Sequence, residues 1–388
     1  MIRNISVGID IGTSTTRIVV GEFQKGANTP KVIGIGESET KGMRHGYIVN
    51  KNETITSLKK AIEMAERTSG IKIKRAVIAI SSTTLRSEIS NGSVVISKAD
   101  GEVTNLDIEK VLEDCEKNIN ISNKKIIHSF PISYKLDNKD ILGRPEGIYG
   151  TKLEAKTLFV TSSFQHWEDL LEVVEEVGID PIAVVSSAVA GSYIALSERQ
   201  KIVGCALIDI GAEKVSLSVF DDGKIIYLHT FTIGSVDITN DIALGLKISL
   251  EKAENLKLNN ESSEFSKKKL TEIIEARLSD IFEVIENHLK KIKKNELLPA
   301  GIIFIGGGSN ISGLEELSKI FLKLPSVIGS TDMFGNTKTK LRDQSWYVAL
   351  GLLISSKDKN ISTEDNALSS FFKDIKNALK SSMKQLMP

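Results

Sequence analysis

The sequence predicts an α/β protein of two duplicated halves, with a small α+β unit inserted in the first and an amphipathic helix at the end. Three observations carry this. Ile9-Asp10-Ile11-Gly12 recurs as Ile208-Asp209-Ile210-Gly211, each copy between apolar or alternating runs, which reads as strand, tight glycine turn, strand. Apolar runs and helical periodicities alternate along the chain, the pattern of sheets flanked by helices. The two copies stand at the starts of halves of comparable length, a period too long for a solenoid and suited to duplicated domains.

The bulk properties agree. A chain of 388 residues holds roughly two to three domains of ~100–200 residues. Hydrophobic residues make up 41% and charged residues 26%, a globular composition. Lys+Arg and Asp+Glu are both 50, which argues against a nucleic-acid binder with its basic domain. Cys115 and Cys205 are far apart, with no His or Cys at ligand spacing, so neither a disulfide scaffold nor a zinc site is expected. The N-terminal MIRNISVGIDIG lacks the long apolar core of a signal peptide, and no apolar run reaches the ~18 residues of a membrane span. A soluble protein of a reducing compartment is the expectation.

In chain order, strands are expected at 5–9 and 17–20 around the first glycine turn, a helix over 54–67 and a buried strand at 75–80. Residues 82–156 form the inserted unit, with strands at 93–97 and 126–136, a helix over 106–117 opened by Asn105, and turns over 138–150. A strand at 158–162, a helix over 167–177 and a strand at 183–185 follow. The second half has strands at 205–208 and 215–220, helices over 238–246 and 250–258, and one long amphipathic helix over 270–292. That helix has an apolar stripe of Leu270, Ile273, Ile274, Leu278, Ile281, Phe282, Ile285 and Leu289 at helical spacing. A strand at 301–305, the loop Gly306-Gly307-Gly308-Ser309, a helix from Ser312 and a last helix over 345–353 complete it. Residues 355–366 are polar and aperiodic, the composition of a flexible linker.

The glycine turns are the candidate site. A tight turn lets backbone N–H groups approach a phosphate, and small hydroxyl residues add donors; Gly12, Thr13, Ser14 and Thr15 have that composition. Asp10 at the strand end is placed to hold Mg²⁺ through water, since Mg²⁺ takes a carboxylate plus phosphate oxygens, and Asp209 faces it from the second half. Gly306 to Ser309, between a buried strand and a helix, suit the close approach of a nucleoside. The three loops in this order point to nucleotide binding.

At this point the chain resembles the superfamily of actin, Hsp70-type chaperones and sugar kinases, whose signature is two phosphate hairpins and one adenosine loop. The resemblance narrows to the FtsA family of bacterial cell-division actin homologues. The matching segments are Gly42-Met43-Arg44-His45-Gly46, the 126–150 region with Pro131 and Gly147, Thr232-Ile233-Gly234, Ala253-Glu254-Asn255-Leu256-Lys257, Ile273-Ile274-Glu275-Ala276-Arg277 and the stretch from Ala300 to Leu314. The likeness spans essentially the whole chain. It implies an actin-like (ribonuclease H-like) two-domain fold, with subdomain 1A in residues 1–81, 157–196 and 342–354. The inserted subdomain 1C would take 82–156, subdomain 2A 197–237 and 298–341, and subdomain 2B 238–297. Residues 355–366 would be the linker and 367–388 a membrane-targeting helix.

The resemblance also implies ATP and Mg²⁺ as ligands. Gly12, Thr13 and Ser14 would touch the β- and γ-phosphates, with Gly211 and Gly234 beside them from the second half. Glu254 and Lys257 would frame ribose and adenine, and Gly306, Gly307 and Gly308 would back the adenosine. The second hairpin departs from the family pattern, with Ala212, Glu213, Lys214 and Val215 in place of glycines and a threonine. A Glu213 carboxylate ~4 Å from a phosphate would repel it by ~4 kcal/mol at an effective dielectric of ~20. Three answers stay open: offset by Lys214, offset by Mg²⁺, or a Glu213 that points away. Binding with weak hydrolysis at most is the expectation.

In the tail, Leu368, Phe371, Phe372, Ile375 and Leu379 recur at helical spacing, with Lys373, Lys376 and Lys380 toward the other face. Such a helix behind a polar linker fits an interfacial membrane anchor, each lysine near an anionic leaflet adding ~1 kcal/mol. Arg277 reads either as a surface arginine paired with Asp280 at i+3 or, by resemblance, as part of the surface that takes the C-terminal peptide of FtsZ. The functional expectation is a peripheral protein on the cytoplasmic side of the cell membrane, at the division site. It tethers FtsZ filaments, self-assembles and recruits later division proteins through subdomain 1C. A pilus-assembly relative or a small-molecule kinase of the same superfamily is the alternative.

Overall fold

The computed structural model describes residues 4–27, 29–259, 265–331, 333–334 and 339–355. The first half opens with β1 (Asn4–Ile11), β2 (Thr15–Phe23) and β3 (Lys31–Glu39), then the short β4 (Met43–Arg44) and β5 (Tyr47–Ile48), α1 (Lys51–Ser69) and β6 (Arg75–Ile80). An inserted unit follows, of β7 (Arg86–Val95), α2 (Asn105–Lys117), β8 (Lys124–Leu136), β9 (Lys139–Ile141) and β10 (Lys152–Ser163). The chain returns through α3 (Phe164–Glu176), β11 (Asp180–Ser186), α4 (Ser187–Ala195) and α5 (Glu198–Val203). The second half runs β12 (Cys205–Ile210), β13 (Val215–Asp221), β14 (Lys224–Phe231), α6 (Ser235–Leu246), α7 (Leu250–Asn259) and α8 (Lys267–Lys291). It ends with β15 (Ile302–Ile305), α9 (Leu314–Leu322), β16 (Ser326–Ile328) and α10 (Tyr347–Ser355).

The duplication is visible in strand order. The first sheet runs β11-β6-β1-β2-β3, and the second begins β16-β15-β12-β13-β14. In each, a three-strand antiparallel meander is flanked by two parallel strands. The hairpins share one register: Asp10 lies opposite Arg17, and Asp209 opposite Ser216. Residues 12–15 and 211–214 are therefore equivalent turns, which is why the repeated Ile-Asp-Ile-Gly is legible as a motif.

The second sheet continues from β14 into β7-β10-β8-β9, making nine strands in all. The β14–β7 join has a single paired position, His229 against Arg86. Ser87 reinforces it, its Oγ donating to Leu228 O (3.1 Å) and accepting from Leu228 N–H (2.8 Å). The inserted unit has its own core, including Val111, Cys115, Leu153 and Phe159. Gly92 lets α2 lie close on β7, since a Cβ there would come within 2.5 Å of Cys115 N. Asp107 fixes the start of α2: it accepts from Ser97 N–H (3.0 Å), Thr104 N–H (2.9 Å) and both hydroxyls. Burial alone would raise its carboxyl, but those bonds outweigh it and hold the group well below the usual carboxylate range, as several hydrogen bonds to one carboxylate do.

Between the sheets lie α4 and α10, both apolar on every side and buried along nearly their whole length. Helices of that kind belong to the interior. They touch at Gly351, where a Cβ would stand 1.8 Å from Ala190 O, and β1 rests on α10 at Gly8, 2.5 Å from Ala349 O by the same measure. A second core fills the far side of the second sheet, under α6 to α9. The long helix buries Leu270, Ile274, Leu278, Ile281, Phe282, Ile285 and Leu289, the stripe read from its periodicity.

Several sequence expectations are corrected. The cap of α2 is Thr104, with Asn105 as its first residue. β7 starts at Arg86 and ends at Val95, and β10 starts at Lys152: both pair with a neighbour on long polar stretches that carry no apolar signal. Within 138–150 the chain adds β9 and a bridge between Glu102 and Tyr149. The helix expected from Ser312 begins behind Gly313, a left-handed cap with φ of 82°, and residues 344–346 form a 3₁₀ turn before α10. The expected membrane helix, with Leu368, Phe371, Phe372, Lys373, Ile375, Lys376, Leu379 and Lys380, lies outside the described residues.

Candidate nucleotide cleft

Ligands of open α/β sheets sit beyond the carboxyl ends of the parallel strands. Here those ends from both halves converge on one cavity of about 440 Å³, within the ~300–1,000 Å³ of small-molecule sites. From the first hairpin it takes Asp10, Gly12, Thr13, Ser14 and Thr15; from the second, Asp209, Gly211, Ala212 and Lys214. Gly306, Gly307 and Gly308 close one side, and Glu254 and Lys257 on α7 another. Of the expected residues, two lie off the wall. Gly234 packs under the second hairpin, where a Cβ would be 2.4 Å from Ala212 O, and Ser235 lines the cavity instead. Ser309 turns its Oγ back to Gly306 O at 2.7 Å.

Each turn is closed by a backbone hydrogen bond. Gly12 N–H donates to Thr15 O (3.2 Å) and Gly211 N–H to Lys214 O (2.9 Å). Among the described residues Thr13 Oγ1 is buried with no hydrogen-bond partner, a group that a water or a ligand atom would satisfy. Gly306, at φ of 85°, must be glycine: a Cβ would meet Asp209 Oδ1 at 2.2 Å and Ile210 O at 2.6 Å. Gly307 has nothing within 4 Å of such a Cβ, so its bare face is open to a ligand. At the other end Lys257 Nζ donates to Ser235 O (3.1 Å) and Thr239 Oγ1 (2.9 Å) and pairs with Glu254 at 2.8 Å. Orphaned hydroxyl, open glycine face and paired polar end fit a nucleoside polyphosphate.

The second hairpin answers the question left open about Glu213. His45 N–H donates to its Oε2 at 2.6 Å, so the carboxylate faces the loop at residues 42–46 and is absent from the cavity wall. Lys214 crosses to the first half, donating through Nζ to Ser81 O (2.8 Å) and to Ser81 Oγ, which also accepts from Ser187 Oγ (2.9 Å). Both side chains thus bind the second half to the first across the cleft.

Charge in the cleft is balanced from within. Burial raises Asp10 to about 6, Lys214 and Arg17 pulling it back and Asp209 adding to the rise. Burial likewise raises Asp209, against Lys214 and Arg17, and lowers Lys214 against Asp10, Asp209 and Glu213. Among the described residues no group of three or more His, Cys, Asp or Glu is placed to hold a metal. The expected magnesium contacts, Asp10 and Asp209, lie in the cavity wall together with the Lys214 side chain, whose charge acts on both carboxylates and would repel a cation placed between them.

Sequence reasoning missed Arg17, Ser81 and Ser187. Arg17 was findable, because it lies two residues beyond Thr15 on β2 and alternate strand residues share a face. Ser81 and Ser187 follow the ends of β6 and β11, positions that the strand-end rule marks only once sheet order is known. Arg277 stands on α8, held by Asp241 through two bonds (2.6 and 3.0 Å) and by Asp280 at 3.1 Å. A second cavity, about 480 Å³ beside Gly92, Asp114 and Lys135 on the inserted unit, has neither a glycine turn nor an orphaned group among its lining residues.

Beside the cleft, His166 is buried against Tyr47, ring centroids 5.3 Å apart, with Nδ1 unpartnered. Burial, then the charge of Lys214, lowers it to about 4, Asp169 opposing. An unfolded chain takes that proton at its ordinary value, 6.5. The contribution is thus whole above pH ~6.5 and lost as pH falls toward ~4, about 3 kcal/mol in total. Asp10 and Asp209, raised by burial, gain stability over the same fall in pH, so the loss is read as a difference. Between pH 7 and 4.5 the denaturant-unfolding stability of wild type is expected to fall by ~2 kcal/mol relative to His166→Phe, and His166→Phe to reduce proton uptake on unfolding by about one near pH 5.

The comparisons with known proteins bear on the whole chain. The family model described as Cell division protein FtsA matches residues 206–351, and that of the SHS2 domain inserted in FTSA matches 82–161. The cell division protein FtsA of Pseudomonas aeruginosa is 28% identical, over 91% of this chain and 89% of the relative. That of Bacillus subtilis is 28% identical over 90% and 83%, and that of Borreliella burgdorferi 27% over 99% and 98%. In structure the chain is similar to a PilM-PilN type IV pilus biogenesis complex (TM-score 0.69, 18% identity, 91% of this chain and 98% of that one). It is also similar to MreB5 of Spiroplasma citri bound to ADP (0.53, 15%, 93% and 99%). The fold is thus actin-like. With one family model on the inserted unit, another on the second half, and relatives aligned over nearly the full length, the chain belongs to the FtsA family of cell-division proteins.

Proposed function

We propose that this protein is a division adaptor that holds ATP between its halves and carries FtsZ filaments on the cytoplasmic face of the cell membrane. The observation that supports it most is the pair of register-matched glycine hairpins facing one cavity with the Gly306 loop. Nucleotide there touches both halves, so its binding favours their closed arrangement. We give ATP a structural part and no hydrolytic step, because Glu213 and Lys214 of the second hairpin are engaged in joining the halves.

The remaining roles follow from sequence and kinship. Residues 367–388 have the amphipathic pattern of a reversible anchor, and assembly into filaments would multiply such anchors and strengthen attachment. Among the described residues no helix is long and apolar enough to cross a membrane. Residues 82–156 are proposed as subdomain 1C, the docking unit for later division proteins, and α8 near Arg277 as the face that takes the FtsZ C-terminal peptide. The pilus alternative draws on fold likeness alone at 18% identity, whereas the division reading draws on both family models.

Liposome co-sedimentation tests this. Full-length protein is expected to pellet with anionic vesicles and bring FtsZ with it, more so with ATP. A chain ending at Asn366 is expected to stay in the supernatant. Lipid pelleting by the shortened chain, or no FtsZ recruitment by the lipid-bound full chain, contradicts the adaptor role.

A further inference from the structure

The equivalent turns share their glycine and differ at the next three positions, and the difference that puts a charge in the cavity wall is at the last: Thr15 in the first is Lys214 in the second. Lys214 is 7% exposed, and its ammonium is held by the carbonyl and hydroxyl of Ser81. On another side the loop closes over it, a Cβ at Gly46 standing 3.2 Å from Nζ. The stem therefore cannot swing aside without breaking buried, charge-assisted hydrogen bonds.

Three carboxylates and three cations line the cavity: Asp10, Asp209 and Glu254 against Arg17, Lys214 and Lys257. Glu254 and Lys257 pair with each other, and Arg17 reaches Glu37 at 3.4 Å. Lys214 and Arg17 both act on Asp10 and Asp209, and of the two it is Lys214 that stands on a glycine hairpin with its ammonium fixed on Ser81. A divalent ion bridging those carboxylates would lie beside a fixed like charge in a partly desolvated site, where repulsion is weakly screened. An ammonium is also a sound point-charge partner for phosphate.

We propose that Lys214 is the built-in counter-cation of this cleft, so that a nucleoside polyphosphate binds without a divalent metal. The inference rests on the nucleotide reading above and adds to it the identity of the charge that meets the phosphates.

The test is calorimetric titration of full-length protein with ATP, in magnesium buffer and in EDTA. Wild-type affinity is expected to agree between the two within about threefold. Lys214→Met keeps the buried stem and removes the charge; in EDTA it is expected to weaken binding about ten- to a hundredfold, the range of one charge-assisted hydrogen bond. Lys214→Arg is expected to retain metal-free binding, and thermal unfolding without ligand checks that each variant folds. Should Lys214→Met not fold, the wild-type comparison and Lys214→Arg decide. Wild-type binding that needs magnesium overturns the inference and leaves the nucleotide site standing. Wild-type protein that binds ATP in neither buffer overturns both.

Discussion

Gly351→Val is expected to abolish folding. A Cβ at this position would sit 1.8 Å from Ala190 O, inside any van der Waals contact, and the obstacle is backbone of a buried helix. Valine adds two methyls to that clash. Relief requires α10 to move off α4, which would open the contact that both sheets share. Overpacking of this kind costs ~1–3 kcal/mol where neighbours can yield; here they cannot, and ~5 kcal/mol or more is expected, near the whole stability of a typical domain. Soluble yield and a denaturant midpoint measure it. A folded Gly351→Val variant within about 1 kcal/mol of wild type would contradict this packing.

The second large effect is expected at the nucleoside loop, where neighbouring glycines have opposite surroundings. Gly306→Val puts a β-branched residue at φ of 85°, with its Cβ 2.2 Å from Asp209 Oδ1. Such a residue is a steric outlier in that region, and Asp209 must leave its place between the hairpins. A loss of ~3 kcal/mol or more is expected, together with loss of the rise in unfolding temperature expected of the wild type with ATP. Gly307→Ala meets nothing within 4 Å. It is expected to leave stability within ~0.5 kcal/mol while weakening ATP binding, because its methyl enters the cavity. The contrast separates damage to the fold from damage to the site.

Much of this architecture was legible because its signals are local in the sequence. The doubled Ile-Asp-Ile-Gly identifies both hairpins, and the stripe of α8 gives that helix its buried face. What was not legible has a physical reason in each case. α4 is apolar all round, so it lacks the periodicity that marks a surface helix. β7 and β10 are long because they pair with each other across polar residues, a tertiary effect. In the site, the glycine turns and Asp10 and Asp209 came from the motif. The destinations of Glu213 and Lys214, at His45 and Ser81, came only from the fold, because they join segments more than a hundred residues apart.

These contacts also connect the site to the molecule as a whole. The second hairpin lines the cavity and also joins the halves, so in the proposed adaptor occupancy and closure would share the same residues, and that coupling would give ATP a route to assembly without hydrolysis.

The central claim, that ATP lies in this cleft with its purine end between α7 and the Gly306 loop, is tested most directly by photo-crosslinking with 8-azido-ATP and mapping the adduct by mass spectrometry. Modification, competed by ATP, is expected within residues 250–259 or 301–311. Competed labelling confined to the cavity beside Gly92 and Lys135 on the inserted unit, or no competed labelling at all, would contradict it.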